Sequence, residues 1–105
     1  MRFVETPIFT REVTHLIPEE EYRFLQLALV FRPEQGVVIP GTGGLRKLRW
    51  RSSSRGKRGG FRIIYYWDKK REIIYMLLIY PKSKQEDLTP EQLRVLSRLV
   101  REELK

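Results

Sequence analysis

Apolar and polar positions alternate in RKLRW, residues 46–50, and give way to almost unbroken apolar runs in FRIIYYW, 61–67, and EIIYMLLIY, 72–80. A period of two marks a strand, so Lys47 and Arg49 share one face of the first stretch and Leu48 and Trp50 the other. FRIIYYW is rich in strand formers and reads as a central strand, with Arg62 on the side of Ile64 and Tyr66. The run at 72–80 predicts a strand covered on both faces. RSSSRGKRGG, 51–60, reads as a hairpin loop and DKKR, 68–71, as a turn. RFVE, 2–5, predicts a short first strand, broken by Thr6 and Pro7.

Helical spacing appears in three places. IFTREVTHL, 8–16, predicts one or two turns with Ile8, Phe9, Val13 and Leu16 as the apolar face. A longer helix is expected over 18–32, with Pro18 at its first position and Glu19, Glu20 and Glu21 at the positive end of its dipole. It should bury Tyr22, Leu25, Ala28 and Leu29, and Pro33 and Gly36 should stop it. PEQGVVIPGTGG, 33–44, reads as a loop. Thr89-Pro90-Glu91-Gln92 has the form of a capping box, followed by Leu93, Leu96, Val100 and Leu104 at helical spacing, which predicts a closing helix over 89–104. The expected fold is α+β, a single domain over 1–105. An antiparallel sheet carries two N-terminal helices on one face, and a C-terminal helix completes it.

Composition narrows the class. The 105 residues are 41% hydrophobic and 32% charged, as in a globular chain rather than a disordered one. There is no cysteine, so neither a disulfide framework nor a thiolate metal site is available. No apolar run reaches the ~18 residues of a membrane span, and MRFVETPIF lacks the apolar core of a signal peptide. A cytoplasmic protein with no membrane partner is expected.

The net charge of +8 is unevenly spread. Residues 1–40 carry four bases and six acids, whereas residues 41–88 carry thirteen bases and four acids. Between 46 and 62 stand Arg46, Lys47, Arg49, Arg51, Arg55, Lys57, Arg58 and Arg62, with no acid among them. A solvated face usually intersperses both signs; a block of one sign usually faces a polyanion, most often nucleic acid.

Three chain segments should bring cations to one face or end of the sheet: Lys47 and Arg49, then Arg62, then Lys82 and Lys84 if the last strand stays extended past Pro81. Tyr65, Tyr66 and Tyr80 lie among them as hydrogen-bond donors or stacking platforms, a combination that suits single-stranded RNA. The lone His15 reads as a surface or core-edge residue. No His/Asp/Glu cluster has metal-ligand spacing, and GTGG, 41–44, lacks the Lys-Ser/Thr and the following helix of a phosphate loop, so no metal or cofactor is called for. Asp68, Glu72, Glu86 and Asp87 read as ordinary surface charges at turns. An enzyme built from Lys, Arg and Tyr has one reaction open to it. RNA supplies its own nucleophile, the 2′-OH, and cations stabilise the phosphorane. A lysine moves a proton only if its pKa falls from ~10.4, and crowded like charges push it that way. The plain alternative is a non-catalytic nucleic-acid-binding module or regulator.

The stretches GTGGLRKLRW, GKRGGFRIIYYW and YMLLIYPKSKQEDLTPEQ, in that order, resemble the RelE/HigB family of toxins from bacterial type II toxin–antitoxin modules, the HigB-type branch in particular. The resemblance spans about residues 2–104. It implies a microbial-RNase-like sheet with helices on one side and cleavage of mRNA in the ribosomal A site. It also implies neutralisation by a cognate antitoxin, of helix-turn-helix, HigA-like type, with operator DNA as a further partner of the complex. It places the family's paired strand cations on Lys47 and Arg49, its strand arginine on Arg62, and its last basic cluster on Lys82 and Lys84. Catalysis would then rest on Arg62, Lys82, Lys84 and Lys57, and RNA contact on Arg46, Lys47, Arg49, Arg58, Tyr65 and Tyr80. Two positions depart from the pattern. Ser83 stands where an arginine follows the first lysine, and Leu88 and Thr89 stand where a catalytic tyrosine is found. The proton-transfer residue therefore stays open. A gyrase-poisoning, ParE-like toxin is the further alternative within the same superfamily.

Overall fold

The computed structural model describes residues 1–51 and 60–105. Thr6 and Pro7 start a helix as well as ending a strand. After strand β1 (Arg2–Glu5), the Thr6 side chain accepts from the Phe9 amide, Pro7 takes the first helical position, and α1 runs Pro7–Leu16. Helix α2 (Glu19–Phe31) begins one residue later than its proline suggests, because Pro18 is extended and serves as the cap residue. Leu25 and Leu29 are buried as expected, while Tyr22 and Ala28 are half-buried.

The sheet has five strands in the order β1-β5-β4-β3-β2. Strands β3 (Leu45–Trp50), β4 (Phe61–Asp68) and β5 (Ile73–Pro81) form the antiparallel centre. The short first strand is present as expected, and two features depart from an all-antiparallel sheet of the anticipated strands. β1 pairs parallel to β5, and Val37–Val38 within the glycine-rich loop forms a two-residue edge strand, β2, against β3. The β1 pairing joins residues some seventy positions apart, so local patterning does not carry it, and the two-residue β2 is too short to show a period.

A register shift opposite Ile64 and Tyr65 leaves Leu77 as an extra residue of β5, between Met76, which faces Tyr65, and Leu78, which faces Ile64. Leu77 and Leu78 consequently both serve one core while Met76 and Ile79 serve the other. That is how an almost continuous apolar strand feeds two layers. On one face α1 and α2 bury Phe9, Val13, Leu25 and Leu29 against Leu48, Phe61, Ile63 and Tyr65. On the other face Leu88, Leu96, Leu99 and Val100 pack on Leu45, Ile64, Leu77 and Leu78. The sheet is therefore covered from both sides, rather than from one side as the resemblance implies.

Helix α3 (Pro90–Leu99) opens with the anticipated capping box: Thr89 accepts from the Gln92 amide, and the Gln92 side chain accepts from the Thr89 amide. It continues as a π-helical segment over Val100–Leu104. No helix among the described residues is long and apolar enough to cross a membrane.

Candidate nucleic-acid interface

On the sheet face against which α3 packs, strand register sets a row of side chains: Arg49 on β3 pairs with Arg62 on β4, which pairs with Tyr80 on β5. Directly paired residues project to the same side of a sheet, so two guanidinium groups and a phenol line up across three strands. Lys47 lies two residues along β3 from Arg49, on the same side, opposite Ile64.

The end of the row is fastened by the backbone. Gly60 has φ +68°, a conformation that favours glycine, and a Cβ there would come within 2.2 Å of the Trp50 carbonyl oxygen. The Gly60 carbonyl accepts from the Lys82 amide at 3.1 Å, tying the start of β4 to the exit of β5. Past Pro81 the chain does not stay extended. The Lys84 amide donates to the Pro81 carbonyl at 3.0 Å and closes a turn. Lys82 and Lys84 are therefore exposed at the tip of that turn, near the row but outside its alternation.

The turn brings two acids onto the cations. Arg62 Nε donates to Glu86 Oε2 at 3.1 Å, and Lys82 Nζ lies 3.8 Å from Glu86 Oε1. Lys47 Nζ donates to Asp87 Oδ1 at 2.5 Å. The hydrogen bond from Arg62 holds the Glu86 carboxyl below its ordinary pKa, and the one from Lys47 does the same for Asp87. Glu86 and Asp87 are thus members of the cluster rather than ordinary surface charges, and the cluster is not the acid-free arrangement read from residues 46–62. Their pairing depends on the chain folding back over β4. The nearest hint in the sequence is the i,i+4 spacing of Lys82 and Glu86.

Arg62 is 4% exposed, so its guanidinium is a buried support whose Nε is already engaged by Glu86. Arg49 is exposed and makes no ion pair among the described residues. Tyr80 is buried, and its hydroxyl lies 3.5 Å from the Glu86 carbonyl oxygen. Burial, reinforced by the nearby Asp87 charge, pushes its phenol up to about 12. It is a proton-holding floor of the site and presents no ring face for stacking.

Two expected RNA contacts belong elsewhere. Tyr65 is fully buried on the α1/α2 side; its hydroxyl donates to the Pro33 carbonyl at 2.6 Å and accepts from the Gly36 amide at 2.9 Å. Arg46, on the same side, donates to the Glu34 and Gly36 carbonyls at 2.9 and 2.8 Å. Both pin the segment after α2, and alternation with Ile63 and Leu48 was the signal for it. Lys57 and Arg58 lie outside the described residues. Among the described residues no group of three or more His, Asp or Glu side chains is arranged to hold a metal ion. No known protein-family model matches the chain.

Proposed function

We propose that this protein is a RelE/HigB-type toxin of a type II toxin–antitoxin module: a cytoplasmic, ribosome-dependent mRNA endonuclease that uses the RNA 2′-OH as nucleophile. The observation that carries this reading is the cross-strand row Arg49–Arg62–Tyr80, with Lys82 fastened beside it and Glu86 bridging Arg62 and Lys82. Cleavage through the 2′-OH needs an orienting surface, cations for the phosphorane, and groups that accept and donate protons. A rigid sheet holds such groups with less reorganisation than a loop.

Arg49, Lys82 and Lys84 present charge to solvent for the incoming RNA backbone. Arg62 supplies positive field from below. A small helix-turn-helix antitoxin encoded alongside would neutralise the protein, and the complex would contact operator DNA. The reading is tested by inducing the protein in bacteria and mapping mRNA 5′ ends. Cuts phased with the ribosomal reading frame are expected. Double-strand DNA breaks with intact mRNA would point to gyrase poisoning, and undisturbed growth at full soluble expression would favour a binding module.

A further inference from the structure

We propose that Glu86 is the general base of the cleavage, taking the proton from the attacking 2′-OH; the inference rests on the endonuclease reading above. The reaction needs a group that can accept a proton at neutral pH. Arginine is always protonated and lysine ordinarily so. Tyr80 is buried beneath the Glu86 carbonyl and keeps its phenolic proton. Two carboxylates remain beside the cations. Asp87 is committed to Lys47 at 2.5 Å, two residues along β3 from the row's Arg49. Glu86 sits on the row, between Arg62 and Lys82, with its side chain 46% exposed. Its Oε2 accepts from Arg62, while its Oε1 accepts no hydrogen bond among the described residues and is open to a substrate hydroxyl.

The pairing with Arg62 gives the transfer an electrostatic consequence. As Glu86 takes a proton it loses its charge, and the field that Arg62 exerts on the site becomes more positive. At that same stage the phosphorane is gaining negative charge. The arginine then stabilises the transition state more than the ground state, which is the condition for catalysis. The step balances. The 2′-O–P bond forms as its proton passes to Glu86. The P–O5′ bond breaks as O5′ takes a proton from Lys82, whose ammonium lies 3.8 Å from Glu86 Oε1. The products are a 2′,3′-cyclic phosphate and a 5′-OH, and return of the proton from Glu86 to Lys82 resets the site. No further reactant is needed.

Two other roles for Glu86 make different demands. A residue that only positions Arg62 needs an acceptor oxygen, which glutamine retains. A carboxylate that only occupies the phosphate site, as an internal mimic, would slow cleavage, and its removal would speed it. The test is single-turnover cleavage of mRNA on programmed ribosomes by the full-length protein, its Glu86→Gln variant and its Glu86→Ala variant, with ribosome affinity and melting temperature measured alongside. Loss of a general base typically costs ~10²–10⁴ in rate. Glu86→Gln is expected to fall at least ~10²-fold in single-turnover rate, with affinity unchanged or tighter and the melting temperature preserved. Formate should accelerate the Glu86→Ala variant and leave the wild type unaffected. A Glu86→Gln rate equal to or above wild type would overturn the assignment, as would a Glu86→Ala variant indifferent to formate. A wild-type protein that does not cleave would remove the endonuclease reading and the base with it.

Discussion

Arg62 Nε donates to Glu86 Oε2 at 3.1 Å, joining the start of the central strand to the segment that follows the last one. One partner is buried and the other half-exposed, so the pair is neither a surface ion pair nor a sealed one. That asymmetry decides what removing each side should do. Without Arg62, Glu86 regains water, whereas without Glu86 the Arg62 charge stays buried.

Arg62→Ala should therefore cost only ~1–3 kcal/mol of stability, the usual range for losing a charged hydrogen bond and its packing. It should also reduce cleavage by the ~10²–10³ that removal of a preorganised transition-state donor typically costs. Arg62→Lys should fold better and still cleave poorly, since an ammonium cannot reproduce the fork. Thermal unfolding and single-turnover cleavage on the same preparations check both. A folded Arg62→Ala protein with wild-type cleavage would remove Arg62 from the mechanism.

Tyr65→Phe should show the opposite profile. It removes the hydroxyl that pairs the Pro33 carbonyl and the Gly36 amide, leaving buried polar groups without partners at ~1–3 kcal/mol. Chemical denaturation should register the loss, and toxicity at matched soluble expression should not change. Lost toxicity in a fully folded Tyr65→Phe protein would contradict the core assignment.

Tyr65 also shows how much was legible in the chain. Alternation places it with Ile63 and Phe61, yet its neighbours Arg62 and Tyr66 drew it toward the cationic face. Strands β3 to β5 and the Thr89–Gln92 capping box were readable because each is a local pattern with one dominant period. The parallel pairing of β1 was not, since it is decided by long-range return of the chain, and the edge strand Val37–Val38 was not, since two residues show no period. The cations Arg49, Arg62 and Lys82 announced themselves by density. Glu86 and Asp87 did not, because a carboxylate becomes part of a site only when a turn such as Pro81–Lys84 delivers it.

RNA binding should weaken steeply with salt. Log affinity falls with log salt at roughly −0.7 per phosphate neutralised on a single strand. Charge removal at the exposed Arg49 and Lys84 should each flatten the slope by about that increment, as read by titrations from low to physiological salt. A salt-independent affinity would contradict a phosphate-facing role for the cluster.

Acid should loosen the fold through three carboxylates. Hydrogen bonds from Arg62, Lys47 and Arg71 hold Glu86, Asp87 and Asp68 below their ordinary pKa values. Each contribution is present in full above the unfolded value near ~4 and is lost as pH falls through the lower folded value. The melting temperature should be steady from neutral pH to about pH 5 and drop below ~4. Asp68→Asn, which removes the paired acid of the β4–β5 turn, should be less stable at neutral pH and show a shallower drop. An unchanged acid profile in that variant would count against the Asp68–Arg71 pair.

The central claim is that this cationic row cleaves mRNA by way of the RNA's own 2′-OH. The most direct measurement is single-turnover cleavage on programmed ribosomes of two matched mRNAs, one bearing a single 2′-deoxy nucleotide at the cut position. The account predicts cleavage of the all-ribose mRNA to a 2′,3′-cyclic phosphate and a 5′-OH end, and none of the 2′-deoxy mRNA. Equal cleavage of both, or a 5′-phosphate at the new end, would contradict it.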